Sequence, residues 1–159
     1  MTAESNQELW ERLYQYWLSK NIDGRPPARA DLDPVIEIPY LISHVMILDV
    51  LEDGYRYRLA GSEIAMRLGG ELTGRTVGRN TPTESAWHDL LDSVANEQKP
   101  FIATAEMPLP NVGRRLAVVL PLVDRSGKTE CILAGIFFGS DFRPGTVIGT
   151  LAIQDITKR

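Results

Sequence analysis

Two histidines and one cysteine are the chain's only imidazole and thiol groups. His44, His88 and Cys131 lie far apart, without the short paired spacings by which structural zinc sites are recognised. No metal site is expected. Cys131 opens the run Cys131-Ile-Leu-Ala-Gly-Ile-Phe-Phe138 and reads as a small buried hydrophobe, not a nucleophile. Ser62 stands between Gly61 and Glu63, but the Gly-x-Ser-x-Gly turn that exposes a nucleophile is missing around it. Carboxylates are plentiful, yet none forms a motif pair in an apolar setting that would move a pKa towards general acid or base work. The chain is therefore not expected to be an enzyme, and no catalytic residue is assigned. Two arginine pairs remain. Arg25 and Arg29 flank Pro-Pro-Ala and read as connector residues tied to Asp31 or Asp33. Arg56 and Arg58 alternate with Tyr55 and Tyr57, either as the solvated face of an edge strand or as contacts to a ligand or partner.

What positions these residues follows from length and pattern. A chain of 159 residues with 43% hydrophobic content supports one core and one domain. Its net charge of -4, with no Lys/Arg block, argues against nucleic acid as a partner. The first residues, Met1-Thr-Ala-Glu-Ser-Asn-Gln-Glu8, are polar and acidic where a secretory leader would be basic and then apolar. No apolar run approaches the roughly 20 residues that span a bilayer. A cytoplasmic location without a membrane partner is the expectation.

Leu9, Trp10, Leu13, Tyr16 and Trp17 recur at spacings of three and four, which predicts an amphipathic helix from about Asn6 to Lys20. An extended connector follows, with a turn or helix start at Asp33-Pro34. His44 to Leu51 reads as a strand. The pair Asp53-Gly54 favours a two-residue hairpin turn into Tyr55–Ala60. A short helix is expected from Ser62 to about Leu68, closed by Gly69-Gly70. Thr81-Pro-Thr-Glu84 has capping-box spacing with Pro at the first helical position, so a second long helix starts there and ends before Lys99-Pro100. Three further strands are expected: Phe101 to Leu109, Arg114 to Asp124, and Glu130 to Gly139. The last is apolar at odd and even positions alike, so both its faces must be covered and it belongs in the sheet centre. Arginines in the second strand, and Glu106 and Pro108 in the third, mark edges.

Numbered in chain order, the strands give an antiparallel α+β sheet of order 2-1-5-4-3 with helices on one face and a separate N-terminal helix. The expected parts are an N-terminal helix and connector over 1–33, a core over 34–143, and a tail over 144–159 that adds a strand or helix.

This topology looks like a PAS fold. The segments Tyr14 to Lys20, Gly24-Arg-Pro-Pro-Ala-Arg-Ala-Asp-Leu-Asp-Pro34, Tyr55-Arg-Tyr-Arg-Leu-Ala-Gly-Ser-Glu-Ile64 and Leu72-Thr-Gly-Arg75 resemble a bacterial family of small stand-alone PAS-like proteins, the PAS_5 group. The likeness runs from about Leu9 to Phe142. It implies a sensory or signalling module that binds a small molecule or a signalling protein. The alternative is a ligand-free homodimeric interaction module, and a small enzyme is the least favoured reading. A pocket between sheet and insert helices would be lined by Met46, Leu48, Tyr57, Trp87, Leu91 and Phe101. Trp10, Leu13 and Trp17 are the candidate anchors of a homodimer, because PAS-like folds commonly pair through such a helix. No cofactor is expected. Haem-binding PAS domains take a histidine from the helix before the third strand, but His88 lies about 100° from the centre of its helix's apolar stripe. Flavin photochemistry needs a reactive cysteine on the helical segment, and Cys131 sits in a strand-like run. Arg25 and Arg29 have a spacing similar to that of PilZ-type phosphate clamps, but the companion Asp/Asn-x-Ser-x-x-Gly motif is missing.

Overall fold

The computed structural model describes residues 6–67, 70–106, 114–139, 146–148 and 151–155. The N-terminal periodicity folds as helix α1 (Asn6–Ser19), and a four-residue helix α2 (Pro34–Glu37) starts at the Asp33-Pro34 signal. A 3-10 segment, Pro39–His44, then leads into strand β1 (Val45–Leu51). It has no counterpart in the sequence reading, because Pro39-Tyr-Leu-Ile carries neither helical nor strand periodicity. Strand β2 (Gly54–Ala60) returns antiparallel to β1, and helix α3 (Ser62–Arg67) follows.

Helix α4 (Pro82–Glu97) forms as its capping signal predicts: Thr81 accepts a hydrogen bond from the Glu84 backbone N–H at 3.1 Å, and Pro82 takes the first turn. Gln98, at φ 55, ends it. Strands β3 (Phe101–Glu106), β4 (Arg114–Val123) and β5 (Thr129–Gly139) complete the antiparallel order β2-β1-β5-β4-β3. Asp124 builds the β4–β5 turn, accepting from the Ser126 and Lys128 backbone N–H groups at 2.8 and 3.1 Å.

Two features correct the sequence reading. The hairpin loop is Glu52-Asp53, since Leu51 pairs with Gly54 and Val50 with Tyr55. Cross-strand pairing of Asp49 with Arg56 sets that register, and Gly54 becomes the first residue of β2 at φ 155. Strand β3 is also not an edge: β7 (Leu151–Asp155) pairs with Phe101–Thr104, and β6 (Thr146–Ile148) pairs with β7. The paired part of β3 is apolar or hydroxylic, with Glu106 beyond it, so the charge that reads as an edge guard leaves the pairing residues open. Within β1 to β5 the most apolar strand, β5, is indeed central, flanked by β1 and β4. The expected turn at Asn111-Val-Gly113 and the end of the third strand at Pro108-Leu109 lie outside the described residues.

Alternation divides the sheet into two packed faces. One carries Val45, Ile47, Leu116, Val118, Leu120, Leu122, Leu133 and Phe137 beneath Trp10, Leu13 and Trp17 of α1. The other carries Met46, Leu48, Ala103, Ala117, Val119, Ile132, Ala134 and Ile136 beneath Ile64 of α3 and Ala86, Leu90, Leu91 and Val94 of α4.

Candidate functional site

The residues expected to line a pocket come from four elements and meet on the α4 face. Met46 and Leu48 on β1 and Leu91 on α4 are buried, while Tyr57, Trp87 and Phe101 are half-buried and pack against the same cluster. Alternation explains the convergence: Met46 and Leu48 are two apart on β1, and Leu48 is the cross-strand partner of Tyr57. Three alanines, Ala103, Ala117 and Ala134, lie on the sheet side of this cluster, where the α1 face presents leucine, valine and phenylalanine.

Trp10, Leu13 and Trp17 are covered by the chain's own sheet. The Trp17 indole N–H donates to Pro121 O at 2.9 Å, and Gly135 on β5 leaves room for Leu13, with which any Cβ there would collide. The apolar stripe that suggested dimer anchors is thus satisfied within one chain. Beside α1 lies an open groove of about 620 Å³ lined by Glu11, Arg12, Gln15, Tyr16, Ile38 and Tyr40, well away from the α4-face cluster.

His88 lies against the β1–β2 turn, edge-on to the Tyr55 ring. Arg79 Nη2 donates to its Nδ1 at 2.9 Å and to Asp89 at 2.9 Å, and Asp92 accepts from Tyr55 OH at 2.7 Å. Burial, reinforced by the Asp92 carboxylate, pushes the Tyr55 hydroxyl pKa well up, so the phenol stays protonated. This network fastens the segment after α3 to α4. The same segment lies along β2, with Gly74 N–H donating to Tyr57 O at 2.7 Å and Val77 N–H to Tyr55 O at 2.9 Å. His44 Nδ1 is 3.1 Å from Ile136 O, and its ring stacks on Phe137. Among the described residues no group of three or more His, Cys, Asp and Glu is placed to hold a metal ion.

Sequence reasoning missed the role of Asp49. Arg58 Nε donates to Asp49 Oδ1 at 2.7 Å, Arg56 Nη2 approaches Oδ2 at 3.4 Å, and the Cys131 thiol points to Oδ1 at 3.6 Å. Burial pushes the Asp49 carboxyl pKa up. The hydrogen bonds and charge of the arginines outweigh that, leaving it below the ordinary carboxylate value. Burial and the Asp49 carboxylate push the Cys131 thiol up to about 11, which holds it protonated and unreactive near neutral pH. The available signal was a lone acid inside Val45-Met-Ile-Leu-Asp-Val-Leu51, which in a buried strand demands a cation. Arg29 donates to Leu32 O at 3.0 Å and not to Asp31 or Asp33.

Compared with known proteins, residues 1–137 match the model of a PAS domain family, PAS_5. No curated protein matches the chain. Among the described residues no helix is long and apolar enough to cross a membrane.

Proposed function

The chain belongs to the PAS domain family, and from that premise we propose that it works in the cytoplasm as a sensor whose small-molecule ligand lies between the sheet and helices α3 and α4. The family is sensory and regulatory in character. The observation that supports the ligand reading is the meeting of Met46, Leu48, Tyr57, Trp87, Leu91 and Phe101 on one sheet face, with alanines at Ala103, Ala117 and Ala134 behind them. Small side chains on a sheet leave depth in front of it, and binding sites are mostly apolar with a few polar groups. Tyr57 supplies such a group.

A thermal screen of small carboxylates, aromatics and nucleotides tests this. A ligand at about 100 times its dissociation constant adds roughly 2.7 kcal/mol, which raises Tm by about 2–4 °C per kcal/mol in a domain of this size. Leu91→Trp should abolish the shift while the protein stays folded. If no compound shifts Tm and native mass spectrometry finds no retained molecule, the ligand reading fails.

The second reading is a ligand-free module that pairs with another copy of itself. It is favoured by Val35, Ile36 and Tyr40, which stay exposed beside the α1 groove, Ile36 at 74%. Light scattering should then report a dimer that Ile36→Asp converts to monomer; a wild-type monomer refutes it.

A further inference from the structure

The Asp49 cluster is more than a neutralised buried charge. Tyr55 and Tyr57 of β2 pack on the α4 face, which puts Arg56 on the α1 face directly opposite Asp49. A bulge follows: Ile47 pairs with Leu59 and Leu48 with Tyr57, so Arg58 is the extra residue on β2. Bulges re-aim side chains, and this one lets Arg58 reach the same carboxylate as Arg56. The Asp49 side chain is 11% exposed, whereas those of Arg56 and Arg58 are 48% and 58% exposed. Asp49 therefore holds both guanidiniums from the buried side while about half of each arginine side chain stays exposed.

Each arginine spends little on this contact. Arg58 commits its Nε and Arg56 one terminal nitrogen, at the longer distance. Pairing of Arg56 with Thr76 in an antiparallel bridge sets the threonine on the same face beside it. Two cations over one anion leave one net positive charge. On a chain of net charge -4 such a spot stands out.

We propose that Arg56 and Arg58 form a carboxylate-binding fork, with Asp49 as the positioning residue that holds both guanidiniums for a bidentate partner. Planar guanidinium and carboxylate groups match through paired hydrogen bonds. A single negative charge neutralises the site, while a phosphate dianion leaves it negative on an already acidic chain. The carboxylate comes from a small organic acid or from an acidic side chain of a polypeptide. This site lies on the face opposite the proposed ligand pocket, so either can fail alone.

The test is a titration of nitrogen-15-labelled protein, following the arginine Nε–H resonances at constant ionic strength. Acetate supplies the bare carboxylate and a capped pentaglutamate peptide supplies the polypeptide form; chloride and inorganic phosphate are the comparators. Saturable shifts at Arg56 and Arg58 with acetate support a small acid, and saturation with the peptide alone supports an acidic segment. Arg58→Lys keeps the charge over Asp49 but loses the planar fork, and should weaken binding by about tenfold or more with the backbone amide spectrum preserved. Leu91→Trp should leave the titration unchanged. Linear shifts reproduced by chloride, an unaltered affinity in Arg58→Lys, or tighter binding of phosphate than of acetate would each overturn the assignment.

Discussion

The two faces of the sheet are built from the same strands yet solve different problems. On the α1 face large side chains meet large ones, Trp10, Leu13 and Trp17 against Leu116, Val118, Leu120, Leu133 and Phe137, and a glycine is needed for the helix to seat. On the α4 face the sheet contributes Ala103, Ala117 and Ala134 among its larger residues. The α1 face also carries charge at its rim, where Asp49 sits under Arg56 and Arg58, whereas the charged groups near α4 lie outside its packed face, around Arg79 and Asp92. One face packs large side chains against large ones, and the other sets small sheet residues among its larger ones beneath α3 and α4. Neighbours on β5 show the division: Ala134 packs with the α4 cluster, and Gly135 lies under Leu13.

The largest expected effect tests the α1 face. Trp17→Ala removes a buried indole and its hydrogen bond to Pro121 O, and should cost about 3–5 kcal/mol in a urea unfolding curve. A cost below about 1 kcal/mol would mean that α1 is only loosely attached.

Gly135→Ala should destabilise by about 1–3 kcal/mol, because its methyl group meets Leu13 and Phe137 in a filled interior. An unchanged melting midpoint would show slack on the α1 face and weaken the contrast with the α4 face.

On the other side, Thr81→Ala removes the N-cap of α4 and should cost about 1 kcal/mol, read by calorimetry. No measurable change would mean that packing alone fixes the start of α4.

The smallest effects are in pH. Asp49 is held below its ordinary value, so its contribution is complete above the unfolded carboxylate pKa of about 4 and is lost as pH falls through the lower folded value. Cys131 is raised to about 11, so its contribution is complete below the unfolded thiol pKa of about 8.5 and is lost as pH rises towards about 11. Asp49→Asn should flatten the acid side of the stability profile and Cys131→Ala the alkaline side. A thiol reagent should modify Cys131 at neutral pH only after denaturant is added, and rapid labelling of the native protein would contradict its burial.

Much of this architecture was legible in the chain. The doubly apolar run from Cys131 to Phe138 demands cover on both faces, the Thr81-to-Glu84 spacing starts a helix, and the Trp10-to-Trp17 stripe demands a surface to bury on, because periodicity and capping are local physics. The central place of β5 among the first five strands follows from the lack of charge between Cys131 and Phe138, whereas the edge that Glu106 and Pro108 suggested for β3 is taken up by pairing with β7. Which side chains meet across the strands was decided only by the folded structure. Asp49 meets Arg56, Arg58 and Cys131 because register and a bulge bring β1, β2 and β5 into line, and no spacing in the sequence encodes a bulge. Whether the N-terminal stripe is buried by the chain's own sheet or by a second copy is equally a matter of tertiary geometry, settled by Gly135 giving Leu13 its place and by Pro121 O accepting the Trp17 proton.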